Sequence, residues 1–387
     1  MMEVKNVPEA AERIKKAIDK KERIILYGDA DLDGVCSVLI LKEALKNMGG
    51  EIAAVYFPNR EEEGYGITKT ALEALGKFAP ALFIAMDLGI SNFEEIDLAN
   101  QKGFEVILID HHQILGSLPS AFLIVDPKQE GEQYPFTSFA ACGLTLRVAE
   151  HVLGKAMTNS LRKSLVELAT LGTIADMMPR EQDNQALIEE GLSYLPQSWR
   201  PGLQALFQFE PFSQALSLEE KIARVISLLN VRDIQYGLPA AFRLLVVSSL
   251  QDAEALLERL WEISKVRHGN IRAFVEEVER NIAARRDDLI IFEGTTELEY
   301  VLLGGAASVL ANRYKKPVFL YRERGAESLG SVRAPLGYDT VKAMTYCSQF
   351  LSTYGGHAQA SGFRLKTEHI DQFRSCLIKF FSTHEKS

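Results

Sequence analysis

The chain has 387 residues, 47% of them hydrophobic and 25% charged, which are the proportions of a folded globular protein of about two or three domains rather than of a disordered chain. Its apolar runs, such as Val35 to Leu41 and Val106 to Ile109, are broken by charge or glycine well short of the ~20 residues a membrane helix needs. The net charge of −9 argues against broad electrostatic coating of nucleic acid, while a metal site or a local basic groove can coexist with an acidic total, so global charge alone decides nothing about a nucleic-acid substrate.

The opening stretch MMEVKNVPEAAERIKKAIDKKER carries no apolar run of the secretory type and reads as an amphipathic helix, so a cytoplasmic protein with no membrane contact is expected. Cys36, Cys142, Cys347 and Cys376 are far apart and form no CxxC pair, and they are expected to be reduced and buried.

From Arg23 to Pro127 short apolar runs (RIILYG, EIAAVYF, ALFIAMD, EVILID, FLIVD) alternate with helical stretches (VCSVLILKEALKNMGG, EEIDLANQKG). That rhythm predicts βαβ units and a parallel sheet. The segment from Phe139 to about Leu250 has helical apolar spacing and completes a first domain over residues 1–250. Residues 251–288 form one long periodic stretch suited to a connector helix. Residues 289–387 then read as a second, smaller α/β domain. Its expected strands are LIIFEG, YVLLGG, PVFLY, SLGSVRA and SGFRLK, and its expected helices are AASVLANRY and TVKAMTYCSQFLSTY. The fold class is α/β, with no internal repeat.

Four acidic motifs each follow directly on an apolar run. They are Asp29-Ala30-Asp31-Leu32-Asp33-Gly34, Asp87, Asp110-His111-His112 and Asp126. Ligands of open α/β sheets collect at the carboxyl ends of the strands, so these side chains can converge there. Carboxylates that close repel unless cations lie among them, and carboxylate plus imidazole is the donor set of Mn²⁺, with Mg²⁺ where oxygen dominates. Two cations about 3.5 to 4 Å apart are suited to phosphoester hydrolysis by in-line displacement. Taken singly, Asp87 or Asp126 is equally the N-cap of a following helix, and the DADLDG loop has an alternative as a plain turn. Two adjacent histidines at a strand end are harder to place in a core.

Taken together the motifs resemble the DHH phosphoesterase superfamily, which is characterised by the triplet seen here as Asp110-His111-His112. GDADLDG, PNREEEGYGI, MDLGISN, IDHHQ, YPFTSFAACG and ATLGTIADMMP follow its RecJ-like branch in order, and GSVRAP and GGHAQASGF resemble the DHH-associated domain. The resemblance implies a site for two Mn²⁺ (or Mg²⁺) ions built from Asp29, Asp31, Asp33, Asp87, His111 and Asp176. It implies Asp110 orienting the imidazoles and His112 as the catalytic group facing the phosphate. It also implies 5′-to-3′ hydrolysis of single-stranded DNA or RNA to mononucleotides, with a place in DNA repair.

Candidate substrate contacts are Arg60, Asn230, Ser331, Arg333, Gly355, Gly356 and His357, with the connector's Lys265, Arg267 and Arg272 as further cations. Tyr27 stands where nano-RNase and cyclic-dinucleotide branches tend to carry a histidine, which favours the RecJ-like reading. Two departures bear on the substrate. The segment around Asn230 lacks the fuller Asn-Ala-Ala-Gly-Arg pattern, and no OB-fold is expected after the second domain, so short oligonucleotides become realistic substrates. The alternatives are a short-oligonucleotide or cyclic-dinucleotide phosphodiesterase and, from another class, a non-catalytic scaffold in replication or repair. Protein partners are not indicated.

Overall fold

The computed structural model describes residues 2–60, 62–114, 116–213, 217–231, 233–283 and 288–383. The ends of the expected connector (284–287) and of the expected second domain (384–387) lie outside the described residues. The chain divides into two compact units, Met1–Trp261 and Glu262–Ser387.

The first unit opens with α1 (Val7–Asp19), β1 (Ile24–Gly28), α2 (Leu32–Asn47) and β2 (Ile52–Tyr56). It continues with α3 (Lys69–Leu75), β3 (Ala81–Met86), α4 (Phe93–Gln101), β4 (Phe104–Ile109) and β5 (Leu123–Val125). The five strands pair in parallel in the order β2-β1-β3-β4-β5. Every residue of β1 and of β3 is buried, the mark of strands covered on both faces, which is why they read as unbroken apolar runs rather than as alternating ones.

The helical completion runs through α5 (Ala141–Leu153), α6 (Asn159–Ala175), α7 (Gln182–Tyr194), α8 (Pro201–Gln208), α9 (Glu210–Ser213) and α10 (Leu218–Leu229). A small hairpin, β6 (Ile234–Gln235) with β7 (Leu238–Pro239), leads into α11 (Ala240–Val246). Arg200, 3% exposed, binds both oxygens of Glu43 at 2.7 and 2.9 Å and the Ser164 hydroxyl at 2.6 Å, fastening the start of α8 to α2 and α6 with its buried charge paired. Helix α12 (Leu250–Ile282) begins in the first unit and ends in the second.

The second unit holds β8 (Ile291–Thr295), α13 (Tyr300–Tyr314), β9 (Val318–Arg324), β10 (Glu327–Arg333), α14 (Thr340–Tyr346), β11 (Leu351–His357), β12 (Ala360–Lys366) and α15 (Ile370–Thr383). The sheet order is β11-β12-β10-β9-β8, antiparallel except for the β8–β9 pair. Val318 and Leu320 pack with α13 and the end of α12, and Phe319 and Val332 pack with Phe373 and Leu377 of α15 and with Met344 of α14.

Three local expectations change. YVLLGG is the first part of α13, not a strand, because its apolar residues continue at helical spacing into AASVL. The tail of TVKAMTYCSQFLSTY leaves the helix and becomes β11, where Thr353 and Tyr354 extend beside β12. Cys347 and Cys376 are joined in a disulfide between the end of α14 and α15, while Cys36 and Cys142 are free and buried as expected. No helix among the described residues is long and apolar enough to cross a membrane.

Candidate metal centre

Strand register lines up the first residues beyond the sheet. Gly28 pairs with Met86, Met86 with Ile109, and Ile109 with Val125, so Asp29, Asp87, Asp110 and Asp126 follow in one row across four strand ends. Their amides extend the ladder: Asp29 N–H donates to Met86 O at 3.3 Å, Asp87 to Ile109 O at 2.9 Å and Asp110 to Val125 O at 3.0 Å. None of the four is more than 2% exposed. Chain order reverses between β1 and β3, the switch point where open α/β sheets bind ligands, and Asp29 and Asp87 stand on its two sides. Asp87 adopts φ 64°, a left-handed conformation that aspartate tolerates better than most side chains.

Helices bring the remaining carboxylates. Asp31 caps α2, accepting from Gly34 N–H at 3.2 Å. Asp33, in the first turn of α2, accepts from the amides of Ala141 and Cys142, both at 2.8 Å, and so also caps the start of α5. Asp176 ends α6. His111 Nε2 lies 3.3 Å from Asp87 Oδ1, 3.4 Å from Asp176 Oδ2 and 3.9 Å from Asp33 Oδ2. Three overlapping sets, Asp29/Asp31/Asp87, Asp33/His111/Asp176 and Asp87/His111/His112, each have ligand atoms within 4.8 Å of one another.

The electrostatics fit cations. Burial, then the neighbouring carboxylates, push Asp87 well above the usual carboxylate range. The same causes push Asp176 up to about 8, and burial pushes Asp33 up to about 6 against its amide hydrogen bonds. Asp176 Oδ2 is buried and accepts no hydrogen bond. Buried oxygens and an imidazole whose mutual repulsion is relieved by positive charge form a donor set suited to hard divalent cations.

Asp110 behaves in the opposite way. Burial opposes its ionisation, yet His112 holds it far below the usual range, through Nδ1 at 2.7 Å and its charge, helped by the amide of Ile90 at 3.0 Å. It also accepts from the amides of His111 and His112 at 2.8 and 3.2 Å. Its ring partner is therefore His112, whose pKa rises to about 9 because Asp110 overrides the burial that would lower it. Asp126 sits in the row but joins none of the three ligand sets. Burial pushes it up to about 7, Oδ1 accepts from Lys128 N–H at 2.7 Å, and Oδ2 has no hydrogen bond.

Arg60 lies on the loop after β2 and is bound to Asp29, through Nε at 2.8 Å and through Nη2, and to Asp31 at 3.0 Å. It is thus drawn into the cluster rather than standing apart from it as a separate substrate cation. Two neighbours escape sequence reasoning. Tyr65 places its hydroxyl 3.4 Å from His112 Nε2 and its ring 5.1 Å from the Arg60 guanidinium, and Lys128 donates from Nζ to His111 O. The Gly-Tyr-Gly of the loop was the available signal for Tyr65; nothing in the sequence distinguishes Lys128.

Asn230 caps the end of α10 in the first unit. In the second unit, register places Ser331, Gly362 and Gly355 in one row across β10, β12 and β11, and Arg333, Ala360 and His357 in the next row on the same face. Gly356 points to the other face, at φ 123°, where a Cβ would meet Ala360 O at 2.6 Å. Gly355, Gly356 and His357, the candidate substrate contacts, thus form the end of strand β11. Arg333 donates to Val332 O at 2.8 Å and lies near Ser331 Oγ at 3.4 Å, under Gly304 of α13. Of the connector cations, Lys265 pairs with Glu262 at 2.5 Å and Arg272 with Glu276 at 3.1 Å, while burial lowers Arg267.

Residues 23–173 match the model of the DHH family, N-terminal domain. The single-stranded-DNA-specific exonuclease RecJ of Bacillus subtilis (strain 168) is 31% identical over 97% of this chain and 48% of its own length. The Thermus thermophilus protein of the same name is 27% identical over 97% of this chain and 54% of its own. The chain thus spans about half the length of these two relatives. A crystal structure of exonuclease RecJ bound to manganese superimposes with a TM-score of 0.80 at 26% identity, covering all of this chain and 96% of that one. The motif order, the geometry at the strand ends and these likenesses agree: the chain belongs to the DHH phosphoesterase superfamily, on its RecJ-like branch.

Proposed function

We propose that this chain is a divalent-metal-dependent exonuclease that hydrolyses single-stranded DNA to mononucleotides in the 5′-to-3′ direction, with RNA as a second substrate. The observation that carries the proposal is the three overlapping sets of mostly buried carboxylates and imidazoles at the strand ends, the ligand atoms of each set lying within 4.8 Å of one another. The names of its relatives, single-stranded-DNA-specific exonucleases, support the choice of substrate.

Asp29, Asp31, Asp33, Asp87, His111 and Asp176 would hold two cations, Mn²⁺ or Mg²⁺. When bound, such ions supply Lewis-acid activation of water and neutralise charge on the phosphoryl oxygens. The chain's own residues do the rest. Asp110 fixes the His112 ring through Nδ1, which leaves Nε2 as the donor to a non-bridging oxygen of the scissile phosphate. Arg60, held on Asp29 and Asp31, would supply a cationic group beside the phosphate. Ser331, Arg333, Gly355, Gly356 and His357 contact the sugar-phosphate backbone, where glycine lets it approach closely and arginine can bind it bidentately. Asn230 is a further contact. The setting would be the cytoplasm, in DNA repair.

The test is digestion of 5′-labelled and 3′-labelled single strands of DNA and RNA, as dinucleotides and as longer oligonucleotides, with Mn²⁺, Mg²⁺ or chelator. Metal-dependent release of mononucleotides from the 5′ end of long DNA is expected. Cleavage confined to dinucleotides would replace the proposal with oligonucleotide clean-up, and no cleavage at all would favour the scaffold.

A further inference from the structure

We propose that Glu63 is a positioning residue, the clasp that holds the loop between β2 and α3 so that Arg60 and Tyr65 face the cluster; this rests on the exonuclease reading of that cluster. The loop leaves β2 at Phe57 and re-enters regular structure at Thr68, the N-cap of α3. Glu63 gathers three donors from its two ends. Oε2 accepts from the Tyr56 hydroxyl at 2.8 Å and the Thr68 hydroxyl at 3.0 Å, and Oε1 accepts from Asn59 N–H at 2.9 Å. The Glu63 amide closes the turn by donating to Asn59 O at 2.8 Å.

The C-terminal base of the loop is fastened separately. Tyr27 donates its hydroxyl to Gly66 O at 3.0 Å, and Asn92 accepts from Ile67 N–H at 3.0 Å. A Cβ at Gly66 would meet Asn92 Oδ1 at 2.4 Å, and with φ 89° this position requires glycine. The N-terminal base is fastened by Glu63 alone of these groups, and it is the side that carries Arg60. Arg60 then spans from Asp29 and Asp31 to the Tyr65 ring, and Tyr65 reaches His112. One carboxylate thereby sets the entry of a loop whose two projecting side chains meet both the aspartate side and the histidine side of the site.

The chemistry of the clasp calls for glutamate. Three donors converge on one side chain, and an ionised carboxylate has about four acceptor sites on two oxygens, whereas an amide has a single acceptor oxygen. Charge-assisted bonds are also the stronger kind, which suits a clasp that is half-buried rather than sealed in the core. Glu63→Gln is therefore expected to keep part of the clasp and Glu63→Ala to release it.

The experiment uses the full chain and five proteins: wild type, Glu63→Ala, Glu63→Gln, Arg60→Ala and the Glu63→Ala/Arg60→Ala double variant, which completes a double-mutant cycle. Hydrogen exchange of amides 57–67 is read without substrate. Glu63→Ala is expected to speed exchange there about tenfold while leaving β1 and β3 unchanged. In Mn²⁺-supported digestion of a single-stranded oligonucleotide, Glu63→Ala should raise KM about tenfold with a smaller fall in kcat, and Glu63→Gln should recover part of that loss. In the Arg60→Ala background, removing Glu63 should add less than about twofold.

Unchanged exchange in Glu63→Ala overturns the clasp. Faster exchange with unchanged kinetics, or full additivity with Arg60→Ala, overturns its role in positioning. A wild-type protein inactive on every oligonucleotide would sink the exonuclease reading, while the exchange measurement would still decide whether Glu63 holds the loop.

Discussion

The two units place polar groups at their sheets in opposite ways. At the strand ends of the first unit, carboxylates and an imidazole are packed below the surface at spacings that ionised groups occupy only with compensating positive charge. On the sheet of the second unit, glycine, alanine and serine form the rows, with Arg333 and His357 beside them. A dense buried cluster suits the reacting phosphate, where preorganised charge acts in the absence of bulk water. A face of small residues suits the approach of a backbone that need not react. The difference teaches where substitutions should act: on kcat at the carboxylate and imidazole cluster of the first unit, and on KM on the sheet face of the second.

The largest effect is expected at the centre of the cluster. Asp87→Asn should lower turnover by about 10³-fold or more, since it removes a carboxylate shared by two ligand sets. In chelator the same protein should melt at a higher temperature than wild type, because burial and neighbouring carboxylates already disfavour the ionised form of Asp87. Thermal melts with and without Mn²⁺ check both signs; a lower melting temperature in chelator would break the picture of a repulsive cluster.

His112→Ala comes next. It should reduce kcat by about 10²- to 10³-fold while Mn²⁺ affinity, read by calorimetry, stays within a few-fold. An equal loss of metal affinity would move His112 into the ligand set with Asp87 and His111.

In the second unit, Arg333→Ala should raise KM about tenfold and leave kcat nearly unchanged, the size expected for one charge-assisted hydrogen bond. A fall in kcat alone would remove the division of labour between the two sheets. The smallest effect is expected from Tyr65→Phe. Its 3.4 Å approach to His112 is long for a hydrogen bond between a hydroxyl and an imidazole, so a loss of about two- to fivefold in kcat is the expected result of steady-state kinetics.

The sequence made the first sheet readable because its strands are buried on both faces and end in charge, so each boundary is marked by an abrupt change from IILYG to DADLDG or from EVILI to DHH. The row of aspartates then follows from register, which pattern alone suggests but does not align. Asp176 was accessible only through family resemblance, since an aspartate at the end of an apolar helix looks like any C-terminal residue. Arg60's attachment to Asp29 and Asp31, and the approach of Tyr65 to His112, depend on the path of an irregular loop, for which periodicity offers no signal. The same limit explains YVLLGG and the tail of TVKAMTYCSQFLSTY: short apolar runs fit strand and helix equally, and packing against β9 and β10 decided the first in favour of α13. The Cys347–Cys376 pairing arises because α14 and α15 pack together, a contact between residues too far apart in the chain for spacing to indicate.

The most direct test of the two-cation site is a crystal grown with Mn²⁺ and measured at the manganese absorption edge. Two anomalous peaks about 3.5 to 4 Å apart, ligated by Asp29, Asp31, Asp33, Asp87, His111 and Asp176, are the predicted result. No peak at the strand ends under Mn²⁺ concentrations that support activity, or peaks held by other residues, would contradict it.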